Sequence, residues 1–96
     1  MMSVFLGICI LCSIFLQPRH LGDTAKISML NVGQGDSFLI QAANGKQLLI
    51  DAGRDQTVLS ELARVLPPGD HRIDVLIATH PDIDHIGGFP FILRRY

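Results

Sequence analysis

The sequence predicts an α/β fold: three short strands in succession, an amphipathic helix, an apolar strand, then a polar loop dense in ligating side chains. Three observations carry this prediction. Asn44-Gly45 separates two apolar runs, which is the strongest short hairpin signal a sequence offers. Val58, Leu59, Leu62, Val65 and Leu66 recur at helical spacing. Ile73 to Ala78 is apolar almost throughout, the pattern of a strand covered on both faces.

The elements follow in order. Lys26 to Val32 alternates and reads as a first strand, ended by the turn Gly33-Gln34-Gly35-Asp36. Ser37 to Ala42 is a second strand and Gln47 to Ile50 a third, so three antiparallel strands are expected. Asp55 is placed to cap a helix from about Gln56 to Leu66, which Pro67, Pro68 and Gly69 close. The strand Ile73 to Ala78 then delivers the loop Thr79 to Gly88, and a short helix starts near Phe89 with Pro90 in its first turn. A loop at the carboxyl end of a buried strand is where such sheets usually place ligands.

Residues 1–18 stand apart from this pattern. Val4 to Leu16 is apolar except at Gly7 and Ser13, and Pro18 ends any helix there. Sixteen helical residues span about 24 Å, less than the roughly 30 Å of a bilayer's hydrocarbon core. The length suits the core of a signal peptide or a short membrane anchor, with the chain exported or membrane-associated. No Lys or Arg precedes the run, which sets it apart from a standard signal peptide. The alternative is a buried core helix, but the polar residues of an amphipathic helix are missing. Cys9 and Cys12 have a C-x-x-C spacing inside this run, where thiolates would be strongly disfavoured; packing explains them better than metal binding. Residues 19–24 form a linker, and 25–96 the single domain that 96 residues allow. A formal net charge of −1 gives no overall pull toward nucleic acid, although a local groove could still be positive. His20 and His71 read as ordinary surface residues.

The chemistry lies in T-H-P-D-I-D-H-I-G-G, Thr79 to Gly88. Four potential ligands, His80, Asp82, Asp84 and His85, fall within six residues. Imidazoles and carboxylates at that density suit a divalent cation such as zinc, manganese or iron. Gly87 and Gly88 are expected to let the chain turn away beneath the ion. The plainer reading is a polar loop whose carboxylates cap the next helix. A turn like Gly33 to Asp36 could offer backbone N–H groups to a phosphate, but more often merely joins two strands.

The run resembles the H-x-H-x-D-H signature of the metallo-β-lactamase superfamily, with Asp82 where most members carry a second histidine. With L-N-V-G-Q-G-D-S (Leu30 to Ser37) and L-L-I-D-A-G (Leu48 to Gly53), it is similar in particular to the hydrolase domain of the ComEC/Rec2 DNA-uptake competence proteins. The resemblance implies the first half of an αββα sandwich holding one or two zinc or manganese ions. It makes His80 a ligand of a first metal, and Asp84 and His85 ligands of a second, with Asp84 also orienting the attacking water. Asp82 either supplies an oxygen ligand or leaves the first site weak. Asp51 would orient the metal loop through hydrogen bonds.

The family's site is completed by a further histidine, a bridging acidic residue and a last histidine, and Phe89 to Tyr96 contains none of these. A longer reading frame, a partner subunit or a decayed remnant would each account for this. The implied function is metal-dependent hydrolysis, of a phosphodiester such as DNA rather than a β-lactam. The alternative is a non-catalytic membrane-tethered module that needs a partner to complete its site.

Overall fold

The computed structural model describes residues 24–96. The apolar segment 1–18 and almost all of the linker 19–24 lie outside the described residues. Four strands and three helices follow: β1 (Lys26–Met29), β2 (Phe38–Gln41), β3 (Gln47–Ile50), α1 (Thr57–Val65), β4 (Val75–Ile77), α2 (Ile83–Ile86) and α3 (Phe89–Arg95). The sheet runs β1-β2-β3-β4; the first three strands pair antiparallel, whereas β3 and β4 pair parallel.

Local chemistry sets the boundaries. Asn44-Gly45 closes the β2–β3 hairpin, with Ala42 and Lys46 joined by a backbone bond of 2.8 Å. Asp55 does cap α1: its carboxylate accepts the Thr57 N–H at 2.9 Å and the Thr57 hydroxyl at 2.6 Å. The helix stops because Pro67 forces the residue before it out of helical geometry, and Leu66 is extended at φ −82°, ψ 148°.

Side chains alternate across a strand, so the register sorts the sheet into two faces. Leu39 and Leu49 are fully buried against Val58, Leu62, Leu66 and Ile92 of the helical layer. Each such leucine contributes about 1.5–3 kcal/mol on burial. The opposite face carries two apolar rows, Ile27–Ile40–Leu48–Val75 and Met29–Phe38–Ile50–Ile77. Its outer members are open: Ile27 is 69 % and Met29 74 % exposed. A helix layer, a sheet and an apolar second face form one half of the expected sandwich.

Several expectations need correction. β1 ends at Met29, not Val32, although Leu30 and Val32 are still buried in the core. β4 covers only Val75–Ile77, and it is not covered on both faces, with Val75 47 % and Ile77 39 % exposed. It lies at the sheet edge on the face left bare among the described residues. The loop after β4 contains a helical turn, α2. Gly87 and Gly88 form the turn that joins α2 to α3, both with right-handed backbones. Gly88 also allows close approach, since a Cβ there would lie 2.1 Å from the Ala52 carbonyl oxygen.

Candidate metal centre

Parallel pairing of β3 and β4 puts their carboxyl ends side by side. The Asp51 N–H donates to the Ile77 carbonyl at 2.8 Å, so Asp51 emerges beside the start of the polar loop. Its backbone is left-handed (φ 58°), and the residue is 2 % exposed. Such a conformation persists only where its surroundings over-determine it. Here the carboxylate is that surrounding. Oδ1 accepts the Thr79 N–H at 2.9 Å, and Oδ2 accepts both the Thr79 hydroxyl and the His85 Nδ1–H, the latter at 2.9 Å.

A carboxylate only accepts hydrogen bonds, so His85 donates through Nδ1, and in its neutral form the lone pair is on Nε2. That atom lies 3.8 Å from Asp84 Oδ1. His80 is exposed, with its ring centroid 4.9 Å from that of His85 and its Nδ1 at 3.0 Å from Thr79 Oγ1. Asp82 begins α2 (φ −72°, ψ 148°), yet its carboxylate makes no cap bond; its backbone carbonyl takes the His85 and Ile86 N–H groups. Capping therefore does not account for Asp82. His85 lies beside both Asp84 and His80, whereas Asp82 has no side-chain hydrogen bond or ion pair among the described residues.

Among the described residues no three His, Cys, Asp or Glu side chains yet converge on one point closely enough to hold an ion. The donor set nevertheless fits a divalent cation in kind: an imidazole whose Nε2 is free once neutral, an adjacent carboxylate and a second imidazole beside the first.

The electrostatics follow from these contacts. Burial pushes the Asp51 carboxyl up, but the Thr79 and His85 hydrogen bonds outweigh it and hold the group below the usual carboxylate range. The bond to Asp51 lifts the His85 imidazole above its ordinary value against burial, and the charges of Asp84, Asp51 and Asp36 add to it. A depressed carboxyl contributes stability that is present above its ordinary value of 3.8 and lost as pH falls through the folded value. His85 is protonated in both folded and unfolded chains there and adds no slope. Melting temperature is therefore expected to drop as the pH falls below about 4, less steeply in Asp51→Asn. Parallel profiles for the two proteins would show that Asp51 is not the responsible group.

Two neighbours are not among the sequence candidates. Thr79 reads in the sequence only as the start of a loop, although a hydroxyl directly before His80 is a usable signal. Asp36 lies with its carboxylate 4.0 Å from His85 Nδ1, 60 % exposed. The turn that carries it abuts the ligand loop, because a Cβ on Gly35 would fall 2.0 Å from the Asp84 carbonyl oxygen.

A sequence model described as the Metallo-beta-lactamase superfamily matches residues 30–96. The chain belongs to the metallo-β-lactamase superfamily. Members of this superfamily generally bind divalent metals, typically zinc. The chain is 32 % identical to ComE operon protein 3 of Bacillus subtilis over 109 aligned residues, 94 % of this chain and 14 % of that protein. It is 38 % identical to Competence protein ComA of Neisseria gonorrhoeae over 71 residues, 70 % of this chain and 10 % of the relative. It is also 36 % identical to Recombination protein 2 of Haemophilus influenzae over 96 residues, covering 94 % and 12 %. The chain thus spans between 10 % and 14 % of the length of these relatives.

Proposed function

We propose that the protein is a metal-dependent hydrolase of phosphodiesters, DNA foremost, tethered to a membrane through residues 1–18. The observation that supports it most is the Asp51–His85 hydrogen bond, which leaves Nε2 of His85 facing Asp84. His80, Asp84 and His85 would hold one or two ions, zinc or manganese, with Asp82 as a further oxygen donor. A bound divalent cation supplies Lewis acidity and brings the pKa of water at the site toward about 7. The chain's own residues do the rest. Asp84 keeps one carboxylate edge open to accept a hydrogen bond from water and aim it, and Asp51 keeps His85 from rotating. The competence and recombination proteins named above favour DNA over a β-lactam, by analogy. The apolar character of Val4 to Leu16, interrupted only at Gly7 and Ser13, supports the tether.

The test is an assay of the protein expressed from its own gene, in zinc or manganese, on linear DNA, bis(p-nitrophenyl) phosphate and a chromogenic β-lactam. Cleavage of both phosphodiesters, abolished by chelation and absent on the β-lactam, is expected. Cleavage of the β-lactam alone would overturn the substrate assignment.

A second reading is favoured by the bare apolar face and the unconverged ligands. A non-catalytic module would bind metal weakly until a partner, or a further stretch of chain, covers that face. No hydrolysis with any substrate, together with zinc affinity that rises only when a partner is added, would support it.

A further inference from the structure

Asp51 reaches only one of the two histidines directly. His85 receives the carboxylate itself, while His80 is separated from it by one side chain, Thr79. Both donor groups of Thr79 are committed to Asp51: the backbone N–H to Oδ1 and the hydroxyl proton to Oδ2. A threonine hydroxyl has a single proton and two lone pairs. With that proton directed at an obligate acceptor, Oγ1 can only accept from its other neighbour. That neighbour is His80 Nδ1 at 3.0 Å.

We propose that Thr79 is a positioning residue whose hydroxyl relays the Asp51 hydrogen bond to His80, fixing the Nδ1–H tautomer and leaving Nε2 as the donor atom. The role of Nε2 as a metal donor rests on the hydrolase reading above; the tautomer does not. An exposed imidazole with no partner favours the opposite tautomer, protonated on Nε2, in which the nitrogen meant for a metal is blocked. His80 is exposed, so nothing but this relay holds its Nδ1 among the described residues. The relay also explains why one carboxylate can set two rings that lie 4.9 Å apart. Its two branches differ in strength. His85 donates to an ionised group, and His80 to a neutral hydroxyl, a bond of roughly half that strength.

The experiment is long-range nitrogen–proton NMR of the histidine rings in the metal-free full chain, held above the pH at which they titrate. The wild type and Thr79→Ser are expected to show His80 protonated on Nδ1, and Thr79→Val to show it protonated mainly on Nε2. His85 should stay on Nδ1 in all three, which reports that the site is still folded. Zinc affinity in Thr79→Val should fall roughly 10–100-fold, the usual effect of removing a group that orients a ligand, and Thr79→Ser should recover it. A His80 that keeps its Nδ1 proton in Thr79→Val overturns the relay, as does a Thr79→Ser protein that behaves like the valine variant. The NMR arm needs no metal, so a wild type that binds no zinc would defeat the hydrolase reading and leave the relay decided by the tautomers.

Discussion

Zinc affinity is expected to fall at least about a hundredfold in His85→Ala and in Asp84→Ala, and hydrolysis to vanish in both. Removing a group that merely orients a ligand already weakens metal binding by about 10–100-fold, and removing the donor atom should exceed that. The two variants differ in what else they disturb. Asp84 is a third exposed and, among the described residues, has no other partner near hydrogen-bonding distance than His85, so Asp84→Ala should leave the fold unchanged. His85 is largely buried and donates to Asp51, itself buried. His85→Ala therefore leaves a buried carboxylate short of one partner, a loss of about 1–3 kcal/mol. Competitive titration of zinc against a chromophoric chelator, alongside thermal melts, separates the two effects. Metal-dependent hydrolysis retained in both variants would defeat the ligand assignment.

The second large effect is expected from a residue with no functional group. Gly35→Ala should lower zinc affinity as well as stability, while Gly33→Ala, two residues away, should lower stability alone. Both glycines have positive φ, 76° at Gly33 and 117° at Gly35, so an alanine at either costs on the order of 1–3 kcal/mol of backbone strain. Their surroundings differ. A Cβ on Gly33 meets nothing within 4 Å, whereas on Gly35 it would lie 2.0 Å from the Asp84 carbonyl oxygen. Either the turn or α2 must move, and α2 carries Asp84 and His85. Equal zinc affinity in the two variants, measured where both are folded, would show that the turn does not position the ligand loop.

Much of the fold was legible in the sequence because its signals are local. The Asn44-Gly45 hairpin, the Asp55 cap, the apolar spacing of α1 and the Pro67 stop each act within a few residues. The candidate ligands were legible for the same reason, since His80 to His85 is a contiguous run. The exposure of β4 is not legible, because an apolar strand looks the same in sequence whether its second face is covered or bare. Nor is the short helix α2, because His-Pro-Asp-Ile-Asp-His has no helical period in so short a span.

By itself the sequence determined the element order, the hairpin, the amphipathic helix and the identity of the candidate ligands. These depend on spacing along the chain. Only the tertiary structure decided that β4 runs parallel beside β3, and thereby that Asp51 meets Thr79, 28 residues on, and His85, 34 residues on. It alone decided that Gly35 presses on Asp84 and that a hydroxyl stands between Asp51 and His80. A hydrogen bond across such separations depends on strand register and on backbone direction at one left-handed residue. Neither quantity has a period that a sequence can display.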